Sequence, residues 1–235
     1  MSAASKAPIT LYTAPTANGF AVSILLDELK TIYGGPDYEV IKMSIRDQDF
    51  GVKHNQVKND WFIKLNPNGR IPTIVHDGFS VFETSAIILY LAAQFDKECK
   101  FSSDPSDTLK YSEELQWLFF AHGGIGPMEG QALHFIKWAP EDIPYAQKRY
   151  LDETKRLFGV LEIRLRDRDY LTGPGRGRFA LADMKAFPWV FGGARPHLLN
   201  VDLTEWPAVK AWVNRIAERP AVQSGSTVAT TGDIV

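Results

Sequence analysis

From Ile9 to Thr13 apolar and polar residues alternate through a β-branched run, the period-two pattern of a strand. Ala14-Pro15-Thr16-Ala17-Asn18-Gly19 breaks it, and from Gly19 the positions Val22, Leu25, Leu26 and Leu29 recur at helical spacing. Tyr38 to Met43 alternates again, so strand, helix and strand form a βαβ unit. Trp61 to Leu65 reads as a short helix ended by Asn66-Pro67. Thr73 to His76 and Ser80 to Phe82 read as a hairpin joined by Asp77-Gly78, and Thr84 to Gln94 follows as a helix with Ala86, Ile87, Leu89, Tyr90 and Leu91 mostly inward. Lys97 to Asp107 is rich in Ser, Asp and Pro and reads as a linker, after which strand signals vanish. Leu109 to Ile136 predicts a long helix kinked or broken at Gly123-Gly124-Ile125-Gly126-Pro127. A further helix starts at Pro140-Glu141-Asp142-Ile143-Pro144 and runs to about Arg168, with Leu157, Val160, Leu161 and Leu165 as its stripe. Gly173-Pro174-Gly175 is a loop, and Leu181 to Phe191 and Trp206 to Arg219 supply two more helices. The expected division is an α/β domain over residues 7–96 and an all-helical domain over 107–223, with Met1 to Lys6 and Ser224 to Val235 as tails.

Composition narrows the picture a little. The 235 residues, 45% hydrophobic and 23% charged, suit one large globular domain or two small ones. A formal charge of −2 gives no reason to expect nucleic acid or an anionic membrane as partner. The single cysteine, Cys99, cannot form an internal disulfide, so a reducing compartment is expected, with the cytoplasm as default in the absence of a leader-like or membrane-spanning apolar run. His54, His76, His122, His134 and His197 show no metal-ligand spacing, and no metal site is expected.

The chemistry concentrates in Asn66-Pro67-Asn68-Gly69-Arg70-Ile71-Pro72 and in Phe82-Glu83-Thr84-Ser85. Asn-Pro followed by Asn-Gly demands a turn, since Pro fixes φ and Gly accepts positive values. A proline at a strand start, after a β-branched residue that offers both backbone groups to a ligand, suggests a cis Ile71-Pro72 bond where an ordinary proline is trans. Glu83 and Thr84 stand at a helix start, where free N–H groups and the positive dipole end attract an anion. The order βαβαββα is that of a thioredoxin-like domain, whose redox members carry a cysteine after the first strand; here that loop has none. Any sulfur must arrive with a ligand. Tyr12, Thr16, Asn18 and Ser23 are the candidates to hold it. Tyr12 and Ser23 read better as packing residues, whereas Thr16 and Asn18 lie in the turn, either as helix caps or as donors to a thiolate.

Together these motifs resemble the glutathione-binding half of a glutathione transferase. Ala-Pro-Thr-x-Asn-Gly at residues 14 to 19 is similar to the corresponding loop of the bacterial nu class and of fungal transferases related to the yeast nitrogen-catabolite prion protein. Ala17 stands where that group usually has proline. The likeness continues through Gln116-Trp117-Leu118-Phe119, residues 123 to 128, Gly130-Gln131, His134-Phe135, Ala139-Pro140-Glu141, Ile143-Pro144-Tyr145-Ala146 and Arg149-Tyr150. The resemblance implies a thioredoxin-like domain followed by an all-helical transferase domain, and glutathione as co-substrate. It implies that Thr16 and Asn18 contact the glutathione sulfur, that Ile71, before Pro72 and after Arg70, pairs with the cysteinyl part, and that Glu83 and Thr84 hold the γ-glutamyl end. Gln56 corresponds to a glutamine reaching the glycyl end, and Arg149 to an arginine that contacts a ligand carboxylate; His54 and Lys58 beside Gln56 read as exposed loop residues. Trp117, Phe120, Met128 and His134 are candidates for a hydrophobic co-substrate pocket, although each singly fits core as well. The implied activity is conjugation, peroxide reduction or, favoured by the resemblance, disulfide reduction, in a homodimer. The alternative is a non-catalytic carrier or regulator with the same ligand site. A last expectation concerns folding: where transferases cap the helix before Asp183 with Ser or Thr, this chain has Ala180, leaving Asp183 to cap with its own carboxylate.

Overall fold

In the computed structural model of the chain, residues 9–45, 55–228 and 230 are described. They divide into two compact units, one of residues 1–97 with 220–235, the other of residues 98–219. His54 lies outside the described residues.

The first unit holds a four-stranded sheet in the order β2-β1-β3-β4, formed by β1 (Ile9–Thr13), β2 (Tyr38–Lys42), β3 (Thr73–His76) and β4 (Phe79–Phe82). β1 and β2 are parallel because the helix α1 (Ala17–Tyr33) carries the chain back between them, while β3 and β4 run antiparallel as a hairpin through Asp77 and Gly78. Ile9, Leu11 and Thr13 are buried on one side of β1, and α1 packs against α4 (Thr84–Phe95) around Val22, Leu25, Leu26, Leu29, Ile87, Ile88 and Leu91. Tyr12 points the other way, into a cluster of Met43, Val57, Phe62, Ile41, Leu65 and Ile71 built with α2 (Asn55–Lys58) and α3 (Asp60–Leu65). This is the thioredoxin-like arrangement that the element order predicts.

The second unit is helical. The long segment from Leu109 predicts a helix kinked or broken around residues 123–127, and the structure keeps it helical there through a π turn, a distortion of the ladder and not an end to the helix. α5 (Thr108–Phe120) passes into α6 (Gly126–Leu133) through a π turn at Ala121–Ile125, and a second π turn at His134–Trp138 closes with Ala139 N–H donating to the His134 carbonyl, 2.7 Å. Gly124 and Gly126 allow close packing, while Gly123 has no neighbour that a Cβ would meet. A Cβ on Gly126 would fall 3.2 Å from the Trp189 indole, and one on Gly124 would fall 3.4 Å from Leu157. α7 (Pro144–Leu165) starts at the second of the two prolines and buries Leu157, Phe158, Leu161 and Leu165, with Val160 half-buried. α8 (Leu181–Gly193) and α9 (Pro207–Ala217) complete the core around Met184, Phe187, Val209 and Trp212. The expected C-terminal tail also differs: Pro220–Gly225 forms α10, which returns to the first unit and packs on α1, so Ser224 is helical.

Candidate functional site

The sheet register brings the chemistry of the first unit to one end. Tyr12 of β1 sits opposite Thr73 of β3, and Thr73 sits opposite Phe82 of β4. The loop that leaves β1 after Thr13, the residues Ile71-Pro72 that precede β3, and Glu83, which follows β4, therefore all emerge at the same end of the sheet. β2 runs parallel to β1, with Met43 N–H donating to the Thr13 carbonyl at 2.8 Å, so its exit toward α2 and Gln56 lies there too. Thr16, Asn18, Gln56, Ile71, Glu83 and Thr84 come from distant parts of the sequence and converge by topology alone.

The loop after β1 is tightly made. Thr16 N–H donates to the Ala14 carbonyl at 2.7 Å, and Thr16 caps α1, its hydroxyl oxygen accepting from Gly19 N–H at 3.1 Å. The cap engages the oxygen's lone pair and leaves the hydroxyl proton to be donated elsewhere. Asn18, in the first turn, is half-buried and carries two amide N–H donors. Gly19 is needed for contact, since a Cβ there would run into the Ala14 carbonyl and the Thr13 hydroxyl. Tyr12 packs by its ring against Trp61 and Phe62, at centroid distances of 5.9 and 5.6 Å, and burial raises its phenol above the ordinary value. Ser23 is buried and donates to the Gly225 carbonyl at 2.6 Å. Both are packing residues, as their positions in the sequence imply.

The Ile71-Pro72 bond is cis. Pairing between β1 and β3 stops at Thr73, so Ile71 lies just beyond the ladder. The turn before it is held by Asn66, which sequence reasoning treated only as a turn former. Asn66 is buried; its side-chain N–H groups donate to the Arg70 carbonyl at 2.9 Å and to the Thr73 hydroxyl at 3.0 Å, and its carbonyl accepts from Asn68 N–H at 2.9 Å. Lys58 is exposed, as its sequence context implies, but it ends α2 and donates to the Gly69 carbonyl at 2.8 Å, which ties α2 to the same turn. Nothing in the local sequence signals either role, because both depend on contacts made only after folding. Gln56, half-buried, accepts from Ser44 N–H at 3.5 Å, and Arg70 is exposed.

Glu83 precedes α4 with φ 69° and ψ 119°, a region that side chains rarely adopt, and its own side chain makes no capping bond to the helix. Thr84 and Ser85 behind it are buried, while Glu83 is exposed at the convergence described above. Strain of this kind costs about 1 to 3 kcal/mol and persists where the surroundings impose it. Replacing Glu83 by Gly should therefore raise the melting temperature by about 2 to 4 °C, the equivalent of about 1 kcal/mol in a chain of this size. The same change should weaken any ligand whose ammonium pairs with the carboxylate by about tenfold. Thermal unfolding and titration calorimetry on one variant read both.

The remaining candidates belong to the helical unit and do not gather at one place. Arg149 and Met128 line a depression of about 730 Å³ with Tyr145, Tyr150 and Arg156. Trp117 lies under the Arg164 guanidinium, 5.2 Å from its centroid, packs on Phe120, and lines a different depression with Val160 and Ile163. His134 is exposed, edge-on to Phe135. Among the described residues no group of three or more His, Cys, Asp or Glu side chains is arranged to hold a metal, and no helix is long and apolar enough to cross a membrane.

The sequence matches the family models described as "Glutathione S-transferase, N-terminal domain" over residues 7–93 and "Glutathione S-transferase, C-terminal domain" over residues 125–220. It is 40% identical over 232 residues to the disulfide-bond oxidoreductase YfcG of Escherichia coli, covering 96% of this chain and 97% of that protein. The fold is similar to that of a glutathione transferase homologue from Lodderomyces elongisporus crystallised with two glutathiones per subunit, at a TM-score of 0.83 and 40% identity over 94% of this chain and 99% of the other. It is also similar to the transferase URE2P8 of Phanerochaete chrysosporium bound to oxidised glutathione, at a TM-score of 0.82 and 31% identity over 95% of each chain.

Proposed function

The chain belongs to the glutathione S-transferase family, and from that premise we propose that it is a glutathione-dependent disulfide reductase whose reacting sulfur is supplied by the tripeptide. The observation that carries this reading is the convergence of a capped, cysteine-free loop, the Ile71 backbone and the start of α4 at one end of the sheet. The loop presents Thr16 and Asn18 to the sulfur, Ile71 presents backbone groups to the cysteinyl residue, and Glu83 with Thr84 takes the γ-glutamyl end. Gln56 and Arg70 stand near the glycyl end. The positive end of α1 and the two side-chain donors favour thiolate over thiol without exchanging a proton.

The thiolate attacks one sulfur of a substrate disulfide, forming a mixed disulfide and expelling the other half as a thiolate, which takes a proton from solvent. A second glutathione thiolate then attacks the glutathione sulfur of the mixed disulfide, releasing oxidised glutathione and the second substrate thiol. Two glutathiones are oxidised and one substrate disulfide is reduced. Hydroxyl and amide donors stabilise a thiolate less than a charged neighbour does, which suits exchange with a disulfide better than attack on an unactivated carbon.

Parallel assays test the reading: glutathione-dependent reduction of a small disulfide, conjugation of a chloroaromatic and reduction of an organic hydroperoxide. Disulfide reduction is expected to be the fastest relative to the uncatalysed rate. Glutathione binding with no turnover in any of the three would instead favour a carrier, and conjugation as the dominant rate would overturn the proposed reaction type.

A further inference from the structure

We propose that the C-terminal helix α10 is a positioning element for the sulfur site, acting through Ser23, Asp27 and Gly225 on the placement of α1; this rests on the reading of Thr16 and Asn18 given above. Ser23 stands one turn beyond Gly19 and is buried. A serine inside a helix ordinarily turns its hydroxyl back to the carbonyl four residues earlier. Here the Gly19 and Phe20 carbonyls are each 3.3 Å away and the Gly225 carbonyl is 2.6 Å away, so the single proton goes to the end of the chain.

The approach at that point is backbone on backbone. A Cβ on Gly225 would lie 2.7 Å from both the Cα and the N of Ile24, so any side chain there would push α1 aside. A second tie lies one turn along: the Ser224 hydroxyl donates to Asp27 Oδ2 at 2.5 Å, while Asp27 Oδ1 accepts from the Tyr38 hydroxyl of β2 at 2.6 Å. Burial, reinforced by Asp27, raises the Tyr38 phenol, which therefore remains a donor. Ala221 and Val222 of α10 are buried as well. A helix of six residues has little stability of its own, so α10 is held by docking, and what it fixes in return is the position of α1.

That position matters because the site is divided between elements. Thr16 and Asn18 ride on the first turn of α1, whereas Ile71 precedes β3 and Glu83 and Thr84 open α4. A shift of α1 moves the sulfur donors relative to Ile71, which lies just beyond the pairing of β1 with β3. Misplacement by about 1 Å is enough to cost roughly 100-fold in rate.

The test compares Gly225→Ala with Ser23→Ala in the full chain. Gly225→Ala is expected to lower kcat for glutathione-dependent disulfide reduction by about 10- to 100-fold, with the glutathione Kd changed less than about threefold. The apparent pKa of bound glutathione, read from the ultraviolet absorbance of its thiolate against pH, should rise. Ser23→Ala introduces no clash, and should shift the same readings in the same direction by a smaller factor. Hydrogen exchange gives a measurement free of any ligand: the Gly19 and Phe20 amides should exchange faster in both variants. Unchanged exchange at these amides, or an unmoved thiol pKa beside a lowered melting temperature, would reduce α10 to a stabilising appendage and overturn the proposal. A wild-type chain with no thiolate signal, while exchange responds as expected, would instead bring down the reading of the sulfur site on which the proposal stands.

Discussion

Asp183→Ala is expected to lower the stability of the helical unit by roughly 3 to 5 kcal/mol, which in a chain of this length corresponds to a fall in melting temperature of about 10 °C. The carboxylate is fully buried and accepts from three donors: Leu171 N–H at 3.0 Å, the Trp212 indole N–H at 2.8 Å, and Ala180 N–H at 3.0 Å. It joins the start of α8, the loop at Leu171 and the indole of α9. Ala180 offers no side-chain oxygen to cap α8, so only the reciprocal half of a capping box survives, from Asp183 back to Ala180 N–H. Alanine would leave three buried donors without partners, each costing about 1 to 3 kcal/mol. Asparagine should cost less, since its oxygen can serve Leu171 and Trp212, but its amide N–H would then face the Ala180 N–H.

The same residue makes stability depend on pH. Burial pushes the carboxyl up to about 7 against the pull of the Trp212 indole and the backbone N–H groups of Leu171, Ala180 and Asp183. Between the unfolded value of 3.8 and about 7 the folded chain holds a proton that the unfolded chain has released. The stabilisation from this group is therefore complete below the unfolded value and is lost as pH rises through about 7. Chemical denaturation across that range should show the wild type losing stability with rising pH more steeply than Asp183→Asn, which has no carboxyl to titrate. Equal slopes would mean that the donors, rather than burial, decide the charge.

What could be read from the sequence was what local chemistry decides. Asp77-Gly78 specifies a hairpin, the alternation at Ile9 to Thr13 specifies a strand, and Pro72 after Ile71 together with Glu83-Thr84 marks the starts of β3 and α4 before any contact is known. Placement by register then brings those positions together, which the order of strands already implies. What escaped was set by tertiary packing. Gly123-Gly124 and Gly126-Pro127 look like a kink or break, and the chain passes there through a π turn, with Gly126 seated close against Trp189 and Gly124 against Leu157. Ser224 and Gly225 look like a tail because their partners, Asp27 and Ser23, lie about 200 residues away. Asn66 passed for a turn residue for the same reason, since its side-chain bonds to Arg70 and Thr73 exist only once the turn has closed.

Asn18→Ala should reduce kcat for disulfide reduction by about 100-fold, the scale set by removing one preorganised donor from a developing anion. The glutathione Kd should change much less, because the proposed function assigns the peptide to Ile71, Glu83 and Thr84 on other elements. Thr16 cannot be tested as cleanly, because its oxygen already caps α1 through Gly19 N–H. Thr16→Val would remove donor and cap together, costing about 1 kcal/mol of stability besides activity. Thr16→Ser keeps the hydroxyl and should retain both. The pair separates two ways of favouring the thiolate. If the α1 dipole dominates, Asn18→Ala leaves the pH profile of kcat where it was and only the cap variant moves it; if the donors dominate, Asn18→Ala shifts the profile to higher pH by about one unit, the equivalent of about 1.4 kcal/mol. The second outcome is expected, since the dipole of a half-buried helix start contributes about 0.3 to 2 kcal/mol, whereas a hydrogen bond to a charged group contributes about 1.5 to 3 and the proposed function assigns two such donors to the sulfur. Unchanged turnover in Asn18→Ala, with glutathione bound, would remove the residue from the mechanism.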